Sequence, residues 1–207
     1  MGFQFVPEGE IQIPEIEFTD EVELPVDDSA VLVIDMQNDF VKPDGELRVP
    51  AAGETVPTIQ RLLENARENG VRVTYTQDTE VEDAPEFEVW AKHCQQGTWG
   101  WEIIDELEPK SEESVIRKHR YDAFYSSRLD HLLSRVWKLE HLVIVGTIAN
   151  ICVLHTAASA GLRYFHIVLA ADGISALNEF DQAATLRQTS WLYNGDVVRS
   201  VDDITFI

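Results

Sequence analysis

The stretch Leu142–Ala157, LVIVGTIANICVLHTA, decides how this chain is read. Its first part, Leu142 to Val145, is a dense apolar run of the kind that forms a strand buried on both faces. Gly146 breaks the run. A short polar turn follows, and an alanine-rich helical pattern resumes from Cys152. A strand that feeds a helix through a tight turn leaves the first helical residue at the carboxyl edge of a sheet. Cys152 stands there, over the positive end of the helix, where a thiol pKa is lowered and backbone N–H groups are available. Taken alone, a buried structural cysteine fits this position better than a nucleophile does. The remainder of the chain has to move that preference.

Working outward, strands and helices alternate. Ala30–Ile34 is a second continuous apolar run, ended by Asp35 and a loop rich in Asn, Asp, Pro and Gly. Val56, Ile59, Leu62, Leu63 and Ala66 have helical spacing over Thr55–Asn69, with Gly70 at the cap. Val71–Thr76 reads as a strand. A long loop with Trp, Phe and His content follows, and loops of that length in compact domains usually carry function. Trp101–Leu107 reads as a short helix, Val115–Arg117 as a strand ended by Lys118, and Arg128–Trp137 as a helix. His166–Ala170 and Val197–Val201 are strands, with a helix between them capped by Asn178 and stopped at Asn194-Gly195. Six strands alternating with five helices predict an α/β fold: an open three-layer sandwich around a six-stranded, mainly parallel sheet. Residues 1–28, acidic and carrying Pro7, Pro14 and Pro25 with Ile11, Ile13, Ile16 and Phe18, read as an extended arm ahead of a single domain over 29–207.

Composition narrows the function classes. A net charge of −21 excludes nucleic acid and anionic membrane as partners. Five Lys stand against eleven Arg, and that acidic, lysine-poor balance suits a surface adapted to high salt. No apolar run approaches the roughly 20 residues of a membrane span. The first residues carry no basic segment ahead of an apolar core, so the expected location is the cytoplasm. Two cysteines make no disulfide framework. Neither GxGxxG after a strand nor GxxxxGK[ST] occurs, so no nucleotide cofactor is expected.

In an open α/β sheet, ligands bind beyond the carboxyl ends of the strands. Three of those ends carry Asp35, Lys118 and Cys152, which brings an acid, a base and a thiol to one crevice. That joint placement reverses the preference for a structural cysteine.

These residues sit in three motifs: Val33-Ile34-Asp35-Met36-Gln37-Asn38-Asp39-Phe40, Lys118-His119-Arg120-Tyr121 with Phe124-Tyr125, and Gly146-Thr147-Ile148-Ala149-Asn150-Ile151-Cys152-Val153 with Thr156. In order and spacing, from about residue 29 to 201, the chain resembles the isochorismatase-like, or cysteine hydrolase, superfamily, which includes nicotinamidases. The resemblance implies that Asp35, Lys118 and Cys152 are catalytic. It also implies a cis peptide before Ile148, with the N–H groups of Ile148 and Cys152 forming an oxyanion hole. The turn here reads Thr147-Ile148-Ala149, a departure from the commoner GVATNxC pattern. Resemblance to nicotinamidases implies a divalent metal (Zn²⁺, Mn²⁺ or Fe²⁺) on Asp78, Glu80 and His93, with Glu80 in place of a usual His. It further implies aromatic pocket positions at Phe40, Trp90 and Tyr125. The expected activity is hydrolysis of a small amide through a thioester on Cys152, nicotinamide first, which would place the protein in NAD metabolism. An N-carbamoyl or other small amide, with Arg120 as partner for a substrate carboxylate, is the alternative. A non-catalytic ligand-binding member of the fold ranks third. Family members are often dimers or tetramers, so a homo-oligomer is expected.

Overall fold

The structure, a computed structural model, describes Gln12 and residues 14–207. The remaining arm residues, with Pro7, Ile11 and Ile13, lie outside the described residues. From Ile16 the chain lies along the body of the protein. Ile16 and Phe18 pack against the core, and the Thr19 N–H donates to the Val197 carbonyl at 2.8 Å.

In chain order the elements are β1 (Val22–Leu24), β2 (Ser29–Ile34), α1 (Asn38–Val41), α2 (Ala52–Glu68), β3 (Arg72–Asp78), β4 (Ser114–Lys118), α3 (Leu129–His131), β5 (His141–Thr147), α4 (Leu154–Gly161), β6 (His166–Ser175), α5 (Glu179–Tyr193), β7 (Asp196–Val198) and β8 (Ile204–Phe206). Six of the strands form one parallel sheet in the order β4-β3-β2-β5-β6-β7. The α/β architecture expected from the sequence is the one observed. Strand order reverses between β2 and β5, so the crevice beyond their carboxyl ends is the switch point of the sheet.

The continuous apolar runs are explained by burial on both faces. Val31 and Val33 of β2 and Val143 and Val145 of β5 point into a core with Val56, Ile59, Leu62, Leu63 and Ala66 of α2. Ala30, Leu32, Ile34, Leu142 and Ile144 point the other way, onto Leu129, Leu133, Ala157, Ala160 and Leu186. Each such side chain, fully buried, contributes about 1.5–3 kcal/mol for Val, Leu or Ile.

Three expectations need correction. Trp101–Leu107 is no helix. It holds parts of two 3₁₀ turns, Trp99–Trp101 and Asp105–Leu107. The carbonyl of Trp101 accepts from the side-chain amides of Gln37 and Gln77, that of Glu102 accepts from the Asn38 N–H, and Ile103 pairs with Gln37. Those groups are therefore lost to a helical ladder. The last strand of the sheet stops at Val198, short of Val201. There the Asp172 carboxylate accepts from the Val201 N–H (2.9 Å) and the Ser200 hydroxyl (2.7 Å), turning the chain toward β8. The helix expected over Arg128–Trp137 is α-helical only at Leu129–His131 and continues as wider π turns to Trp137. The small parallel pair β1–β8, away from the main sheet, was not expected.

Candidate active site

Asp35 follows the last residue of β2, with φ +47°. That left-handed conformation costs a non-glycine residue about 1–2 kcal/mol. Thr76 of β3 holds it there. Its hydroxyl donates to Asp35 Oδ1 at 2.6 Å, and its oxygen lies 3.1 Å from the Asp35 N–H. Gly146, opposite Ile34 in register, has φ +118°, and a Cβ there would lie 2.2 Å from the Ile34 carbonyl oxygen. The bond between Thr147 and Ile148 is cis, as the resemblance implied. Beyond it the chain makes a π turn, Ala149–Val153, before α4. The N–H groups of Ile151 and Val153 both reach the Ile148 carbonyl. Ile148 and Cys152 thus bracket one turn.

Lys118, at the end of β4, is the hub. Its Nζ lies 2.7 Å from Asp35 Oδ2, 3.0 Å from Asp78 Oδ1 and 3.5 Å from Cys152 Sγ. Asp35, Lys118 and Cys152 are all buried, with Cys152 6% exposed. The structure brings the three strand-end residues together. Asp35 Oδ2 is paired with the Lys118 ammonium, and the Cys152 thiol lies within hydrogen-bonding reach of the same carboxylate.

The electrostatics overturn one expectation. Burial pushes the Cys152 thiol well above its ordinary value. Lys118 pulls it back, while Asp35 and Asp78 push it further up. The helix end does not yield a resting thiolate. Burial also raises Asp35, with Lys118 opposing and Asp78 adding to the rise. Burial by itself would lower Lys118, yet Asp35, Asp78 and Cys152 outweigh it and hold the ammonium well above its usual range. Burial thus disfavours the charged form of both Asp35 and Cys152, and Lys118 is the one neighbour that favours it in each.

Of the expected metal ligands, Asp78 and His93 face each other, and Glu80 does not complete a group of three with them. Asp78 Oδ1 is taken by Lys118, and its Oδ2 lies 3.4 Å from His93 Nε2. The other nitrogen of His93, Nδ1, is 2.7 Å from the Ala91 carbonyl. Burial raises Asp78, but Lys118 and His93 outweigh it and hold the carboxyl below its ordinary value. An ion at Asp78 would meet the Lys118 ammonium. Among the described residues, no three His, Cys, Asp or Glu side chains converge on one ion position. Glu80 is buried, and its carboxyl is pushed up to about 7 by burial and by the charges of Asp78 and Glu86.

The loop after β3 packs over these residues. Phe40 and Phe87 flank the His93 ring at 5.6 and 5.9 Å. Trp90 Nε1 donates to the Tyr121 hydroxyl at 3.0 Å, tying the loop to the segment after β4. Tyr125 does not join the other pocket positions. It is 62% exposed, beside a shallow hollow with Arg120, Tyr121, Asp122 and His155. Its exposure follows from the turn at Asp122, whose carbonyl takes the Tyr125 N–H.

Sequence reasoning missed three residues. Gln37 accepts from the Asp78 N–H (2.7 Å) and donates to the Asp78 carbonyl (2.9 Å), extending the β2–β3 pairing to the residue that braces Lys118. Asp39 accepts from the Cys94 N–H at 2.6 Å and the Glu46 N–H at 3.1 Å. Glu86, 4% exposed, pairs through Oε2 with Arg120 and lies beside the Tyr121 hydroxyl. Gln37 and Asp39 lay inside a quoted motif, which was the available signal. Glu86 was one acid among several in an acidic loop.

The isochorismatase domain model matches residues 29–202. Ureidoacrylate amidohydrolase RutB of Caulobacter segnis is 34% identical over 192 residues, covering 79% of this chain and 80% of that protein. Among solved structures, N-carbamoylsarcosine amidase from Thermoplasma acidophilum aligns with a TM-score of 0.75 at 33% identity, over 83% of this chain and 95% of that one. Nicotinamidase PncA from Bacillus subtilis aligns with a TM-score of 0.78 at 28% identity, over 83% and 99%. Matched from its first buried strand to the turn after its last sheet strand, the chain belongs to the isochorismatase family.

Proposed function

We propose that this amide hydrolase acts on a ureido substrate, a small N-carbamoyl acid, with Asp35, Lys118 and Cys152 as its catalytic residues. The observation that carries the ureido reading is Glu86. Its carboxylate is buried in the loop between β3 and β4, beside Arg120 and the Tyr121 hydroxyl, where it can also accept from a ureido N–H. Arg120, paired with Glu86 at the edge of the hollow that contains His155, would take the substrate carboxylate. Relatives named for ureidoacrylate and N-carbamoylsarcosine agree with this chemistry. The ranking expected from sequence is thereby reversed: the carbamoyl alternative leads and nicotinamide follows.

The steps follow from the site. Asp35 takes the Cys152 proton as sulfur bonds to the ureido carbonyl carbon. The Ile148 and Cys152 N–H groups receive the developing oxyanion, each worth about 3 kcal/mol in comparable hydrolases. The C–N bond breaks, and the nitrogen leaves with the proton from Asp35. Water, deprotonated by the same carboxylate, then cleaves the resulting S-carbamoyl thiocarbamate, and the proton returns from Asp35 to the Cys152 sulfur. Lys118 keeps the charge of Asp35 and the thiolate balanced throughout.

The test is a comparison of kcat/KM for ureidoacrylate, N-carbamoylsarcosine, 3-ureidopropionate and nicotinamide. At least one ureido acid should exceed nicotinamide by about 100-fold or more, the scale of one satisfied buried hydrogen bond to a charged group. Turnover of nicotinamide alone would return it to first place.

A further inference from the structure

A cavity of about 770 Å³ opens beside β4, the edge strand of the sheet. Pockets that hold small molecules run from about 300 to 1,000 Å³. Its walls are not those of the crevice at Cys152. Lys118 and Asp78 are paired in register at the ends of β4 and β3, and Arg117 and Gln77 are the pair one step before them. Side chains alternate between the faces of a sheet. Ile116 belongs to the core that holds Cys152, while Val115 packs on the other core, with Val73 and Tyr75. Arg117 and Gln77 therefore serve the face turned away from the thiol, and both line the cavity.

The sign of the charge is reversed there. The chain has 37 acidic residues against 16 Lys and Arg, yet this cavity is lined by two arginines, Arg117 and Arg128, and by one acid, Glu102. Among the described residues, no carboxylate stands within ion-pair distance of either guanidinium. Each is positioned by a different means. Arg117 lies over the Trp101 ring, with Cζ 5.0 Å from its centroid. Trp101 is itself fixed, since its Nε1 donates to the Thr79 hydroxyl at 2.9 Å and its carbonyl accepts from the Gln77 amide at 2.9 Å. Arg128 donates through Nη2 to the Val115 carbonyl at 3.2 Å, on the strand edge two residues before Arg117. The other N–H groups of both forks are open to a ligand. Ile103, Pro109 and Val115 give the same cavity an apolar wall.

We propose that this cavity is a second binding site, for a small carboxylate with an apolar body. The planar guanidinium fork matches a carboxylate, which accepts two parallel N–H bonds from it. Arg117 and Arg128 receive the carboxylate, and the apolar wall covers the body. A cationic hollow is also the place on an acidic surface to which an anion is drawn. The site is independent of the ureido reading of the crevice, because it shares no side chain with Asp35, Lys118, Cys152, Glu86 or Arg120.

The experiment is calorimetric titration of the full chain with benzoate, repeated on Arg117→Gln, Arg128→Gln, Arg117→Lys and Arg120→Gln, and with inorganic phosphate in place of benzoate. One equivalent of benzoate should bind. Arg117→Gln and Arg128→Gln should each lose about tenfold or more in affinity, the scale of one hydrogen bond between charged groups. Both arginines are exposed, so these variants should fold and keep the amide hydrolysis of the parent. Arg117→Lys should fall between Arg117→Gln and the parent, since it keeps the charge and loses the fork. Arg120→Gln should retain the benzoate equivalent, because Arg120 faces the separate hollow with His155. Phosphate, with no apolar body, should bind more weakly than benzoate. No saturable binding of millimolar benzoate, parental affinity in both Gln variants of the cavity, or loss of all binding in Arg120→Gln would each overturn the site. Phosphate binding tighter than benzoate would overturn the assignment of a carboxylate with an apolar body.

Discussion

Cys152 is buried beside a carboxylate that can take its proton and an ammonium that can steady the result. In the proposed mechanism the pair Asp35–Cys152 works as a unit. Cys152→Ala and Asp35→Asn should each lower kcat by about 1000-fold or more, the scale seen when a nucleophile or its base is removed from a hydrolase. Steady-state kinetics checks this, and activity retained in Cys152→Ala would refute the thiol mechanism. The resting thiol has its pKa raised, so its thiolate fraction at pH 7 is small. Iodoacetamide labelling of the substrate-free protein should be slow at pH 7 and accelerate as pH rises past 9, followed by mass spectrometry. Lys118→Met is expected to cost about 3–5 kcal/mol in stability, read by urea unfolding, because Asp35 and Asp78 would remain buried without their cation. The meeting of the three residues was legible in the sequence because Asp35 and Lys118 close recognisable strands and Cys152 lies in the turn after a third. The direction of the thiol shift was not. It depends on burial and on Asp78, whose carboxylate the sequence reading assigned to a metal.

At the scale of elements, the site rests on side chains that extend strand pairing beyond the strands. Gln37 makes three hydrogen bonds from one buried amide, two to Asp78 and one to Trp101. Gln37→Ala should destabilise the protein by about 2–3 kcal/mol in urea unfolding, since it also orphans buried backbone groups. Gly100 is fixed by a neighbour: a Cβ there would lie 2.2 Å from the Asp39 carboxylate. Gly100→Ala should lower Tm by several degrees, as expected for about 1–3 kcal/mol of overpacking. These couplings explain which elements could be read in advance. Strands β2 and β5 announce themselves through apolar runs, and α2 through its spacing, because burial imposes a period on composition. The segment Trp99–Leu107 has a composition compatible with a helix. Its conformation is set by Gln37, Asn38 and Gln77, more than twenty residues upstream, and no local period records that. The three-residue strands β1 and β8 are too short to show any period.

At the scale of the whole molecule, an excess of acidic residues spreads repulsion over a surface whose ion pairs, such as Lys42–Glu106, Arg61–Asp202 and Arg163–Asp130, are open to solvent. Salt screens that repulsion over about 10 Å at 0.1 M and about 3 Å at 1 M. If the surface is adapted to high salt, Tm should climb steadily with KCl. A Tm already at its plateau in dilute buffer would contradict that adaptation. Among the described residues no helix is long and apolar enough to cross a membrane.

The β1–β8 pair has a kinetic consequence. Val22 faces Ile204 and Leu24 faces Phe206, residues roughly 180 positions apart in sequence. Closing so long a loop gains little until the sheet between the two segments exists, so the pairing belongs to the last events of folding rather than to its nucleus. Interactions absent from the transition state act on the rate of leaving the native state. Removing residues 204–207 should therefore speed unfolding in a chevron experiment while leaving the refolding limb nearly in place. The clasp acts as a brake on escape from the native state.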